Sequence, residues 1–379
     1  MILFLLLGIL AVSVLWEFYY KYRWSKDVSV KLWFASAAVY AGQDTKLYEV
    51  IENRKDLPVP VLEVRFYTGK ELDFANTDNT NVSDYLYKRD IFAILGNQKI
   101  TREIPVKCKK RGKYAINDAE ITTYTLLYGR RYHKGIETSA EIYVYPRMTD
   151  VSEIVTVCER MLGTLQCAKR LYEDPFAFRT IRSYTTDDPM KTINWKASAK
   201  TGSLMVNTFD SALSRKTMIF LDVEDRGILK REELVEESIA IAATLVRKLV
   251  RQSIEVGFTY NGGGQAIMPM NSKSVLTGIE RMLAEYDPKT KNKDFEQLIR
   301  EFFAAAFSKK PLSRDTLLVV ITKNLSKQLV ECIRDCAGAY QTLVVVPVCR
   351  GENTAWRDGI HAVKSRDNVR ILVKEVERI

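Results

Sequence analysis

The hydrophobic pattern changes character three times along the chain. The opening MILFLLLGILAVSVLW carries no charge before Glu17, and with Phe18, Tyr19 and Tyr20 the apolar run reaches the roughly twenty residues that a bilayer core requires. Positive charge does not precede the run and no small-residue cleavage site follows it, so the pattern predicts an uncleaved anchor over 1–24 rather than a secretory signal. Trp16, Tyr19, Tyr20, Tyr22 and Trp24 form the aromatic cluster expected at a membrane interface. Lys21, Arg23 and Lys26 follow at once. That asymmetry predicts a single-pass protein of the cell membrane, contacting the bilayer through residues 1–20, with the bulk of the chain cytoplasmic. A buried or interfacial helix is the competing reading.

Over 27–147 the period shortens to two. VSVKLWF and VLEVRFYT alternate apolar and polar side chains, and IFAIL, ITREIPVKC, KYAINDAEITTY and EIYVYP follow. Lys110–Lys113 and Asn117–Asp118 supply turn signals, and Asn76–Asp84 reads as a polar loop. Short strands at this spacing predict an antiparallel β-sandwich of immunoglobulin-like type. From Val151 to Leu171 the period becomes helical, with Ile154, Val157, Cys158, Met161, Leu162 and Leu165 on one face. The stretch 148–214 is predicted as a connector. Over 215–379 near-continuous apolar strands (KTMIFLDV, IEVGFTY, DTLLVVIT, QTLVVVPV, NVRILVK) alternate with amphipathic helices. Such strands belong to a parallel sheet covered on both faces, a doubly wound α/β domain. The Gly262–Gly264 run reads as a hairpin turn.

Composition adds little. The chain has 379 residues and a net charge of +10, spread widely. With an anchor at the front, a basic balance fits an anionic membrane surface. No aromatic-rich sheet face or recognition helix accompanies the charge, so nucleic acid is not an expected partner. The six Cys form no CxxC pair. Cys332 and Cys336 read as small buried hydrophobes. Neither GxGxxG after the first apolar strand nor GxxxxGK[ST] anywhere is present, and no cofactor is expected.

One stretch is unlike core or loop: TTDDPMKTINWKASAKTGSL, Thr185–Leu204. Arg182 and Tyr184 precede it, and it contains Asp188, Ile193, Trp195, Lys196, Ser198 and Ala199. In this order and spacing these residues resemble the signature of the family called domain of unknown function 58. Asp187 stands where the family has Gly. The resemblance covers nearly the whole chain: membrane segment, β-sandwich, signature, then a fold similar to the von Willebrand factor A domain.

The residues themselves leave two readings of the signature. In one, Trp195 buries its ring on the face it shares with Ile193, and Arg182 pairs with Asp188 to hold the segment down. In the other, Arg182, Tyr184 and Trp195 form a docking surface, being residue types that dominate interface hot spots. Ser198 beside Lys196 and Lys200 lacks the His or Cys that would suggest catalysis.

The resemblance to von Willebrand factor A domains implies a metal loop after the first strand of the α/β half. The corresponding residues here are Asp222, Glu224 and Arg226. The Asp is kept, Glu could coordinate a hard cation, and Arg cannot. With Lys323 and Asn324 after a later strand, no metal is expected. Pairing of Glu224 or Asp225 with Arg226 or Lys323 is the simpler account. The family resemblance implies work with a MoxR-type AAA+ ATPase and with transglutaminase-like proteins. The expectation is therefore a non-enzymatic, membrane-tethered adaptor. A hydrolase or metal-dependent activity at the sheet edge near Asp222 is the alternative.

Overall fold

The structure, a computed structural model, describes residues 2–74, 80–82, 85–124, 130–170, 178–186, 188, 190–209, 215–226, 231–309, 312–337, 339–349 and 368–376. The chain forms two compact units. The first is Met1–Met148 with Glu280–Tyr286; the second is Thr149–Ile279 with Asp287–Ile379. The predicted connector 148–214 thus falls almost entirely within the second unit.

In the first unit, helix α1 (Ile2–Arg23) is apolar on every side, long enough to cross a membrane, and exposed along nearly its whole length. Only its end is buried: Tyr20 and Trp24 join the sandwich core, while Trp16, Tyr19 and Tyr22 stay exposed. The aromatic cluster is therefore split, half facing outward and half serving as a plug. Lys55 Nζ donates to the carbonyls of Trp24 (2.5 Å) and Lys26 (3.0 Å), which satisfies the orphan acceptors at the helix end.

Two sheets share one core. Strands β1 (Val28–Phe34), β3 (Asp44–Asn53), β8 (Gln98–Cys108) and β5 (Leu72–Phe74) make the four-stranded sheet, in that order. The six-stranded sheet runs β2 (Ala38–Tyr40), β10 (Arg131–Tyr145), β9 (Gly112–Tyr124), β4 (Val59–Gly69), β7 (Tyr85–Ile94), β6 (Thr80–Val82). Pairing is antiparallel except between β10 and β2. Two turn signals are overridden. Strand β9 continues through Asn117–Asp118; Asp118 pairs with Glu137 on β10, and the irregularity falls on the partner strand, between Glu137 and Ala140. The predicted polar loop contains β6, which pairs with β7; residues 76–79 and 83–84 of it lie outside the described residues.

Inward positions of β3 are Thr45, Leu47, Glu49, Ile51 and Asn53, one of which is a carboxylate at the centre of the core. Glu49 is 1% exposed and neither oxygen has a hydrogen-bond partner. Lys88 and Asp90, also buried, face it from β7, and Arg102 is its register partner on β8. Asp90 takes both cations, Arg102 at 2.7 Å and Lys88 at 3.7 Å. Glu49 is left without one.

In the second unit, α2 (Ser152–Arg170) buries Ile154, Val155, Cys158, Met161 and Leu162 and leaves Val157 and Leu165 half-buried, so its apolar face is rotated from the predicted one. Then come β11 (Phe178–Ser183), a single 3-10 turn (Met190–Thr192), α3 (Trp195–Thr201) and β12 (Met205–Phe209). The third sheet follows: β13 (Lys216–Leu221), α4 (Glu232–Arg251), β14 (Glu255–Tyr260), β15 (Ile267–Met270), α5 (Lys273–Glu285), α6 (Phe295–Lys309), β16 (Thr316–Ile321), α7 (Lys327–Ala337), β17 (Thr342–Cys349) and β18 (Val369–Val376). Its order is β15-β14-β13-β16-β17-β18, parallel except for the edge strand β15. The glycine run does make the β14–β15 hairpin, with Gly263 and Gly264 at φ +108 and +98°. Met218, Phe220, Leu318 and Val320 face α6 and α7. Helix α4 lies on β13, β14 and β17 and is itself packed against α2, which explains why residues Ile239–Val246 are all buried.

Candidate functional site

The order of the third sheet reverses between β13 and β16, and in such sheets the crevice beyond the carboxyl ends at this point is where ligands bind. Register fixes what stands there. Leu221 pairs with Tyr260 on one side and Ile321 on the other. The next residues, Asp222, Asn261 and Thr322, are therefore side by side.

Asp222 is 2% exposed and fully bonded. Its Oδ1 accepts from Asn261 Nδ2 (2.8 Å) and the Glu224 N–H (3.0 Å), and its Oδ2 from the Thr322 hydroxyl (2.8 Å) and Asn324 Nδ2 (3.0 Å). All four donors are uncharged. Burial pushes the carboxyl above the usual aspartate range, against the pull of these bonds. Asn261 also accepts from the Val223 N–H, and Asn324 donates to the Glu224 carbonyl, so the loop after β13 is tied to both neighbouring strands.

The charges lie beyond Asp222. Arg226 donates from Nε to Glu224 (2.8 Å) and from both terminal nitrogens to Glu296 (3.0 and 2.8 Å) at the start of α6. Ser326, which caps α7 through the Leu329 N–H, also donates to Glu296 (2.6 Å). Burial alone would raise the Glu296 carboxyl, but hydrogen bonds with Arg226, Asp294 and Ser326 hold it down at about 2. Lys323 pairs with Asp225 at 2.5 Å. Of the pairings the sequence left open, Glu224 takes Arg226 and Asp225 takes Lys323.

This donor set does not fit a divalent cation. The Asp222 oxygens are taken by protein donors, Glu224 turns to Arg226, and a guanidinium stands where a third oxygen ligand would be needed. Among the described residues no three His, Cys, Asp or Glu side chains converge in a way that could hold a metal ion. Asn261, Glu296 and Ser326 were not singled out from sequence. Asn261 carried a signal, a polar residue directly after an apolar parallel strand, as Asp222 and Thr322 do. Glu296 carried none, being brought to the edge from far along the chain.

The signature segment is a small framework of its own. Strands β11 and β12 pair antiparallel, and Arg182 forks onto Asp188 at 2.8 and 2.6 Å. Asp188 also accepts from the N–H and hydroxyl of Thr185. The Arg182 and Thr185 bonds hold its carboxyl down at about 2. Tyr184 joins through its backbone, its N–H donating to the Leu204 carbonyl. Asp187 and Pro189 lie outside the described residues.

Trp195 corrects the structural reading. Ile193 is buried, but Trp195 is 67% exposed. Asn194 ends the extended chain between them: its Oδ1 caps α3 by accepting from the Ala197 N–H (3.0 Å), so Trp195 is the first helical residue and the two-residue alternation is broken. The residue that holds α3 down is Ser198. Its hydroxyl donates to the Asn194 carbonyl (2.8 Å) and accepts from the Met205 N–H (2.9 Å). Ser198→Ala is expected to cost about 1–2 kcal/mol and to raise hydrogen exchange at Met205, by leaving that amide unpaired. Lys196 and Ala199 are exposed, as are Lys191, Lys200 and Met190.

A family model described as "Protein of unknown function DUF58" matches residues 180–372, just over half of the chain, from the signature through the third sheet. No curated protein matches. Among solved structures, a CARDB domain from Pyrococcus furiosus is 14% identical, covering 31% of this chain and 94% of that one at a TM-score of 0.22. A non-cellulosomal cohesin from Archaeoglobus fulgidus is 13% identical, covering 34% and 96% at 0.21. A GH20 exo-β-N-acetylglucosaminidase from Vibrio harveyi is 8% identical, covering 85% and 82% at 0.24. Likeness at this level has no bearing on what the chain binds or does.

Proposed function

The chain belongs to the DUF58 family, and from that premise we propose that it is a non-enzymatic, membrane-tethered interaction protein whose signature segment is a docking face. The observation that carries this reading is the exposure of Trp195 on a helix that is otherwise fixed from below. A large aromatic ring left in solvent on a rigid, hydrogen-bonded frame adds nothing to the fold. On a partner it is the kind of side chain that dominates binding energy. Met190, five residues earlier in the chain, adds exposed apolar surface, and Lys191, Lys196 and Lys200 are exposed cations of the same stretch. That composition suits a partner with an apolar recess rimmed by acids.

The family resemblance implies a MoxR-type AAA+ ATPase as that partner, with a transglutaminase-like protein as a further associate, and work in assembling or remodelling protein complexes. The α/β half, with its reversed sheet order and helices on both faces, supports the finer reading of a von Willebrand factor A-like domain. Its Asp222 edge is a closed structural corner in this reading rather than a seat for catalysis. Helix α1 is the tether in this reading, and the cations that follow it support a cytoplasmic side for the bulk of the chain.

Capture from native membranes by the full-length protein tests this. The AAA+ ATPase is expected with the unaltered chain and to fall at least about tenfold with Trp195→Ala, a hot-spot loss. Thermal unfolding of the variant should be unchanged. Undiminished capture by Trp195→Ala would remove the signature from the contact surface.

A further inference from the structure

The tethered end of the sandwich has a surface of its own. Strand register brings several connections together there: Val28 lies opposite Asn53, Val59 opposite Ile94, and Leu62 opposite Thr123. The α1–β1 turn, the β3–β4 turn, the β7–β8 turn and the start of β10 therefore share one end. Helix α1 enters at that end. Tyr20 meets the Thr123 hydroxyl at 3.3 Å, Glu17 pairs with Arg130 at 3.3 Å, and Lys55 clamps the Trp24 and Lys26 carbonyls. Contacts among the described residues begin at Glu17, and Leu3 to Trp16 are exposed.

The chemistry of this end is uneven. Lys21, Lys26, Arg54, Arg130 and Arg131 are exposed on it. Glu17 and Glu52 answer Arg130 and Arg54, and Asp27 and Asp56 are the other acids of these turns. Leu95, at the β7–β8 turn, is 66% exposed. Its position is fixed. The Leu95 carbonyl accepts from Asn53 Nδ2 (2.9 Å), and Gly96 sits so close to the Asp56 backbone that no Cβ would fit. A turn built this tightly does not need a leucine pointing outward.

We propose that this end of the sandwich is a second membrane contact, lying on an anionic lipid surface. Leu95 enters the headgroup layer, and Lys21, Lys26, Arg54, Arg130 and Arg131 face lipid phosphates and carboxylates. The inference rests on the reading of α1 as a membrane span, since a rod that leaves the protein at this end brings the end to the bilayer. The two contacts together would hold the sandwich in one orientation on the membrane instead of letting it swing on a tether.

The test uses the full-length protein in nanodiscs of phosphatidylcholine, with and without phosphatidylserine. The photoreactive residue p-benzoylphenylalanine replaces, one at a time, Phe18 in the helix, Leu95, and the exposed Glu103 in the middle of β8. Lipid adducts are expected at 18 and 95 and not at 103. The adduct at 95 should grow severalfold with phosphatidylserine and shrink again in Lys26→Glu/Arg54→Glu. An adduct at 18 with none at 95 would overturn the second contact and leave the anchor standing. A protein adduct at 95 would overturn it too, assigning the surface to a partner chain. Absence of lipid at both 18 and 95 would overturn the anchor reading itself.

Discussion

Arg226→Leu is expected to destabilise the second unit by about 3 kcal/mol, the scale for removing one partner of a largely buried pair. The cost comes from what the substitution leaves behind. Glu296 is 6% exposed and is held as a carboxylate by the two Arg226 nitrogens and the Ser326 hydroxyl. Without the guanidinium it loses both charged bonds and keeps the neutral one from Ser326, and its charge is stranded at the junction of α6 and α7. Faster hydrogen exchange in the first turns of both helices is the readout. A double change, Arg226→Leu with Glu296→Gln, should recover much of the loss, because the stranded charge goes with it. Stability unaltered by Arg226→Leu would mean that this edge is open and solvated. The closed corner on which the non-enzymatic reading depends would then be lost.

Glu49→Gln is expected to act in the opposite direction, by an amount that grows as pH rises from the ordinary carboxylate value towards 7. Burial, with the neighbouring Asp90 charge, raises the Glu49 carboxyl to about 7, against the weaker pull of Arg102 and Lys88. The ordinary value is 4.5, so between these two pH values the folded chain holds a proton that the unfolded chain has released. Stability contributed by the protonated form is complete below the lower value and is lost as pH rises through the upper one. The loss is about 3 kcal/mol by pH 8. Gln keeps the shape and cannot ionise. The variant should therefore match the unaltered protein at pH 5 and exceed it at pH 8, read from unfolding of the sandwich or from amide exchange in β3 and β8. A sandwich that grows more stable between pH 5 and pH 8 would show Glu49 to be paired after all.

These two carboxylates mark where sequence reading stopped. Glu49 lies in a strand whose alternation Leu47, Glu49, Ile51 breaks the apolar pattern at its middle, so β3 gave no clean two-residue signal. Its surroundings come from β7 and β8, about forty and fifty residues away. Glu296 begins an ordinary amphipathic helix, and only the packing of α6 beside α7 carries it to Arg226. By contrast, the apolar strands β13, β14, β16, β17 and β18 and helices α4 to α7 were legible, because a parallel sheet covered on both faces demands long unbroken apolar runs. The pairing of Glu224 with Arg226 was legible too, being two residues apart, whereas that of Asp225 with Lys323 needed the neighbouring strand ends β13 and β16 to bring the two together.

What the sequence determined by itself was periodicity: an apolar span at the front, a region of alternating strands, then a parallel sheet wrapped by helices, with a polar signature between them. Those follow from side-chain spacing, which is local. What only the tertiary structure decided was direction. It turned Tyr20 and Trp24 into the core and the other interface aromatics out, and it surrounded Asp222 with amides and a hydroxyl in place of cations. It also exposed Trp195 by starting a helix at that residue, where a continued two-residue alternation would have buried it. Each of these depends on which distant strand or cap a residue meets, and spacing along one chain does not encode that.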